Sequence, residues 1–211
     1  MDDIVNFVSP GIDAEASTAK SNLMDRDALF SFIGHGWLGY SGLVFYTEPG
    51  EFDPNWVSHG SLLATNTGDG SFQGAVEDVE ALGADDLQDV GLAVLNACEP
   101  GDTSPLLRET LLSKGVDVVV AGDDLVHYVA IKHFNREFWE CVNADKIPGT
   151  GVDADIDPCV DYAKDEAHRL TLLEQGQSEA DSINVMDLYP GSGLNSRDLR
   201  VVPAHFGKRS N

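Results

Sequence analysis

At 211 residues with 42% hydrophobic content, the chain is long enough to bury one sizeable α/β core. It carries 36 Asp plus Glu against 13 Lys plus Arg, a formal charge of −23; such a surface repels phosphate backbones and excludes nucleic acid as a partner. The N-terminus MDDIVNFVSPG has neither a basic start nor a long apolar core, and nowhere do about 18 apolar residues run together, so neither a signal peptide nor a membrane span is expected.

The elements follow in chain order. A strand is expected at Ile4–Val8, then a buried-type strand at Ala28–Ile33 (ALFSFI) that runs straight into Gly34-His35-Gly36. From Gly36 to Gln88 the pattern is less regular, with a hairpin strand at Gly42–Thr47 and a loop dense in Gly, Asn and Asp around Thr65–Gly74. Val90–Ala97 (VGLAVLNA) is a second apolar strand, and it runs straight into Cys98-Glu99-Pro100-Gly101. The spacing then predicts a helix over Ser104–Lys114, with Ser104 as N-cap, Pro105 where a missing N–H costs nothing, and Gly115 closing the helix in the left-handed conformation.

Val116–Ala121 is the next strand. Leu125–Val142 is the next helix, with Val126, Val129, Ala130, Phe134, Phe138 and Cys141 at helical spacing. A Gly/Asp-rich connection covers Asp145–Asp157, a weaker amphipathic helix Pro158–Gln175, and further strands Ile183–Tyr189 and Leu199–Pro203. Strand-length apolar runs alternating with amphipathic stretches define a single α/β domain: a mostly parallel sheet with helices on both faces.

The acidic residues are scattered from Asp2 to Asp198 between apolar runs, as a solvated coat rather than a disordered tail. With few Lys, this composition suits a salty cytoplasm, where counter-ions screen self-repulsion. Cys98, Cys141 and Cys159 are odd in number, widely spaced and without a CxxC pair, so reduced thiols are expected rather than a disulfide framework or a zinc knuckle.

The residues that carry chemistry are the two strand ends. In an open parallel sheet ligands bind outside the carboxyl ends of the strands, so if these two strands are parallel neighbours, His35 and Cys98 reach one edge. A thiol needs a nearby base to become a competent nucleophile, and an imidazole alongside meets that need. Gly36 lets the backbone come close to a substrate, and the N–H groups of Gly36 and Cys98 are candidates to face a developing oxyanion. Taken singly, a Cys ending an apolar strand is also what a small core residue looks like, and a His beside Gly what a turn looks like.

IGHGW followed by VLNACEPG, then LLRETLLSKGVDVVVAG and HYVAIKHFNREFWECV, resembles the CHAT and gingipain-type branch of the caspase-like (clan CD) cysteine peptidases. EASTAKSNL is similar to the helix that precedes the His strand in CHAT domains. The resemblance covers roughly residues 14–142 and implies a caspase-haemoglobinase-like fold, with His35 as base, Cys98 as nucleophile and Gly36 at the oxyanion position. The chain departs from that pattern twice. The family has a further strand and helix ahead of the segment matching Ile4–Val8, which implies a truncated domain or a sheet completed by a partner chain. Where CHAT domains commonly show a Trp after the strand that follows the Cys strand, this chain has Asp123-Asp124; carboxylates in a substrate pocket would favour a basic side chain, although in so acidic a chain surface decoration is the simpler reading.

Other chemistries find little support. His127 and His133 do not share a helix face, and His59, His168 and His205 have no carboxylate or Cys at ligand spacing, so no metal is expected. There is no GxxxxGK loop, and Asn96-Ala97-Cys98-Glu99 lacks the glycine-flanked elbow of a glutamine amidotransferase. Cys141, on the apolar helix stripe, and Cys159, near a helix start, read as structural. The expectation is a cytoplasmic cysteine endopeptidase acting on peptide or protein substrates without cofactor; the alternative is a non-catalytic scaffold or signalling module completed by a partner chain.

Overall fold

The computed structural model describes residues 29–36, 42–45, 60–63, 75–98, 106–144, 154–191 and 200–201. The expected strand Ile4–Val8, the segment EASTAKSNL, the residues Glu99–Gly101 and the cap Ser104-Pro105 lie outside them.

The chain folds as an α/β protein around a four-stranded, mostly parallel sheet. In chain order the described strands are β1 (Leu29–Ile33), β2 (His35–Gly36), β3 (Gly42–Phe45), β4 (Gly60–Leu63), β5 (Ala75–Asp78), β6 (Leu92–Asn96), β7 (Val118–Gly122), β8 (Ala154–Asp155), β9 (Met186–Pro190) and β10 (Arg200–Val201). The helices are α1 (Leu107–Ser113), α2 (Tyr128–Ala144), α3 (Ile156–Glu174) and α4 (Gln177–Asp181), the last followed by a 3₁₀ turn at Ser182–Val185. The main sheet has the order β1-β6-β7-β9, with β1, β6 and β7 parallel and β9 antiparallel to β7.

Near-continuous apolar runs are what a sheet covered on both faces requires, and successive residues here divide between two cores. Phe30, Phe32, Ala93, Leu95, Val119 and Ala121 face one core with Leu107 and Leu111 of α1. Leu29, Leu92, Val94, Val118 and Val120 face the other, with Ala130, Phe134 and Phe138 of α2 and Val160, Ala163 and Ala167 of α3. Helices therefore cover both faces, as the alternation of strands and amphipathic stretches predicts. Phe134 and Phe138 are fully buried and stack with ring centroids 5.9 Å apart.

The chain leaves this sheet at Gly34. Immediately afterwards His35 pairs with Val44 and Gly36 with Leu43, and β2, β3, β4 and β5 form a second four-stranded sheet. The hairpin strand expected at Gly42–Thr47 is the described β3, four residues long. Strands β4 (GSLL) and β5 (AVED) are not apparent from sequence: each is only four residues, β4 opening on Gly-Ser and β5 closing on Glu-Asp, and each is held by pairing with segments distant in sequence.

Several boundaries differ from expectation for physical reasons. Helix α1 begins at Leu107 with Leu106 as N-cap, and Glu109 reaches back to accept the Leu106 N–H at 3.4 Å. Its end follows the sequence: Gly115 has φ 108°, and the Gly115 and Val116 N–H groups donate to the Leu112 and Leu111 carbonyls, a Schellman closure. Helix α3 starts at Ile156, two residues before Pro158, because the first N–H groups of a helix have no internal partner for proline to remove. Ile183–Val185 forms the 3₁₀ turn, so the predicted strand begins only at Met186. The last short strand, Arg200–Val201, pairs with Ala154–Asp155 rather than joining the main sheet.

The expectation of three reduced thiols is corrected. Cys141 and Cys159 form a disulfide, with Cα atoms 5.6 Å apart, that ties the end of α2 to the start of α3. Spacing alone did not suggest it, because the partners meet only when the two helices pack antiparallel. It also removes the argument from cysteines for a reducing compartment. No described helix is long and apolar enough to cross a membrane.

Candidate functional site at the carboxyl edge of the sheet

The site is built by register. Leu29 through Ile33 pair in order with Leu92 through Asn96, and the Gly34 N–H donates to the Asn96 carbonyl at 3.1 Å. Because the strands are parallel neighbours, the next residues, His35 and Cys98, leave the sheet at the same edge. Strand β7 is the neighbour on the other side of β6, so Asp123 and Asp124 follow it at that edge as well. All five residues singled out in the sequence thus belong to the carboxyl ends of three adjoining parallel strands. The backbone of His35 is described; its side chain lies outside the described part.

Gly36 abuts Cys98 directly. A methyl group built on Gly36 would collide with the Cys98 carbonyl oxygen and crowd its carbonyl carbon, so no other residue fits there without displacing the Cys98 peptide. The close approach expected of this glycine is, in the folded chain, an approach to the thiol-bearing residue itself.

Cys98 is half-buried, and with Cys141 and Cys159 bonded to each other it is the one remaining thiol. Its Sγ accepts the Val126 N–H at 3.4 Å and can donate to the Val126 carbonyl at 3.5 Å. Val126 lies just before α2, so the sulfur is directed to the α2 face of the sheet. If the sulfur gives up its proton only the N–H contact remains favourable, since a carbonyl oxygen repels an anion. On the other side of the strand a small cleft of about 10 Å³ is lined by Cys98 with Gly42, Leu43, Leu95, Ala97, Leu107 and Ala121. Its lining is apolar and includes neither Asp123 nor Asp124.

Asp123 and Asp124 are exposed. The Asp123 N–H donates to the Val185 carbonyl at 3.2 Å, and the Asp124 carboxylate accepts the Leu125 N–H at 2.7 Å. Both fix the loop between β7 and α2, which also carries the exposed side chains of Leu125 and Tyr128. Behind the loop, Arg108 of α1 donates to the Gly122 carbonyl at 3.4 Å and lies 4.5 Å from the centre of the Tyr189 ring, joining α1 to the end of β7 and to β9.

One polar residue of this edge was not singled out from sequence. Asn96, fully buried at the end of β6, donates from Nδ2 to Asn135 Oδ1 of α2 at 2.9 Å, and that oxygen also accepts the Trp139 indole N–H at 3.1 Å. Its own Oδ1 has no partner among the described residues, at a cost of about 1–3 kcal/mol. The available signal was a polar side chain closing an otherwise apolar strand, VLN.

Among the described residues outside the edge, His133 and His168 have side-chain partners. His133 Nε2 lies 3.0 Å from Glu174 and His168 Nε2 2.9 Å from Asp181, while the His127 backbone N–H donates to the Ser182 hydroxyl. His127 itself precedes α2 rather than belonging to it. No group of three or more His, Cys, Asp or Glu among the described residues is placed to hold a metal ion. His59 and His205 lie outside the described residues.

No protein-family model matches the chain, and no curated protein matches it either.

Proposed function

We propose that the chain is a cysteine-dependent peptide hydrolase of the caspase-like kind, with Cys98 as nucleophile and His35 as its base. The single observation that carries this reading is the parallel pairing of β1 with β6, which brings residues 35 and 98 out of adjoining strands at one edge. In the proposed reaction His35 takes the Cys98 proton and the sulfur attacks the peptide carbonyl. The tetrahedral oxyanion faces backbone N–H groups near Gly36 and Cys98, and collapse to a thioester expels the amine with the proton returned by His35. Water then hydrolyses the thioester and restores the thiol. Asp123 and Asp124, exposed at the same edge but outside the apolar cleft, would attract a Lys or Arg side chain of a bound peptide only by their charge. The acidic coat supports work in high salt, where counter-ions screen its self-repulsion.

The test is cleavage of Lys- and Arg-containing peptides in concentrated KCl. Cys98→Ala is expected to abolish both turnover and labelling by a thiol-directed probe, whereas the double variant Cys141→Ala/Cys159→Ala keeps both. Equal labelling of parent and Cys98→Ala would defeat the assignment.

A second reading is favoured by the engagement of the sulfur by Val126 and the occupation of the Gly36 approach by the Cys98 peptide. Both suit a non-catalytic module in which Cys98 is a packing residue, with a partner chain completing the sheet. Folded protein that hydrolyses nothing alone and gains activity only with an added partner favours this second reading.

A further inference from the structure

We propose that Asn96 is a positioning residue for Cys98, holding the two strand ends and the thiol-bearing loop in one register. The inference rests on the reading of Cys98 and His35 as a reactive pair. Two contacts meet at this residue, and a third is made two residues further on. Its carbonyl accepts the Gly34 N–H, fixing the backbone one residue before His35. Its side-chain amide donates to Asn135, anchoring the end of β6 to α2. Two residues on, where a strand returns to the same face, Cys98 places its sulfur against Val126 at the entrance to that same helix.

The amide orientation is fixed from outside. Asn135 Oδ1 accepts from both Asn96 and Trp139, so the Asn96 group turned toward it must be the donor, and Asn96 Oδ1 is left without a partner among the described residues. A role confined to packing would be better served by leucine, which is similar in volume, matches the apolar α2 face and strands no acceptor. Leucine cannot make the bond to Asn135. Stability and thiol reactivity should therefore respond to Asn96→Leu in different ways, which makes the proposal separable from a structural role.

Because Cys98 is the one remaining thiol, its alkylation by iodoacetamide under non-reducing conditions reports on it without knowledge of the substrate. Asn96→Leu is expected to keep or raise the melting temperature while slowing alkylation at neutral pH by about tenfold and changing the shape of the rate-against-pH profile. Asn135→Ala, which removes the same contact from the α2 side, is expected to move the profile in the same direction and to add nothing in the double variant. His35→Ala serves as the reference. If it changes the parent profile but Asn96→Leu and Asn135→Ala do not, the positioning role is wrong and the reactive pair stands. If His35→Ala leaves the profile unchanged, the pair itself fails. Should Asn96→Leu not fold, an unchanged profile in Asn135→Ala overturns the proposal by itself.

Discussion

Gly36 is the residue on which the site depends most directly, because its lack of a side chain is what lets β2 turn away from the sheet while touching Cys98. Gly36→Ala should cost about 3 kcal/mol or more, since backbone rather than a mobile side-chain tip stands in the way; a denaturant midpoint equal to the parent's would refute the close approach. A second residue makes a small contribution to behaviour in acid. Hydrogen bonds from His168 and then Gln177 hold the Asp181 carboxylate below its ordinary value of 3.8. A carboxylate lowered in the folded state contributes stability above 3.8, and that contribution is lost as pH falls through the folded value. Asp181→Asn should therefore lower the melting temperature at neutral pH and converge on the parent in strong acid. A constant difference at all pH would contradict the linkage.

Among the elements, the α2–α3 pair is the part most firmly fastened. It buries Phe134 and Phe138 against the sheet, and the Cys141–Cys159 bond closes a loop with a separation of 18 residues. In the chain-entropy view such a closure stabilises by about 3 kcal/mol, chiefly by restricting the unfolded chain. Reduction, or Cys141→Ser/Cys159→Ser, should lower the unfolding free energy by about that amount with Cys98 reactivity preserved. Thiol titration of the denatured, unreduced protein should find one thiol per chain; three would show that the bond does not form. Helix α1 illustrates how element ends divide between local and tertiary control. Gly115 ends it through a backbone conformation that sequence announces, whereas at its start Leu106 is the cap, its N–H met by Glu109, and Leu107 and Leu111 are buried in the core.

At the scale of the whole molecule, a formal charge of −23 over 211 residues means that like charges crowd the surface and oppose compaction. Molar salt shortens the screening length to about 3 Å, so circular dichroism and melting temperature should rise steeply between low salt and molar KCl. An unchanged spectrum and melting point would reject the high-salt assignment. The amino-acid sequence by itself determined the α/β class, the apolar strands β1, β6 and β7, the long helices, and the placement of His35 and Cys98 at strand ends, because periodicity and glycine punctuation are local properties. Tertiary structure alone decided the rest: that β1 and β6 are adjacent and parallel, that Cys141 meets Cys159, that β4 and β5 exist, that Asn96 bonds Asn135, and that Val126 meets the thiol. Each of those depends on which segments lie side by side, and contacts between residues distant in sequence leave no periodic trace in either partner.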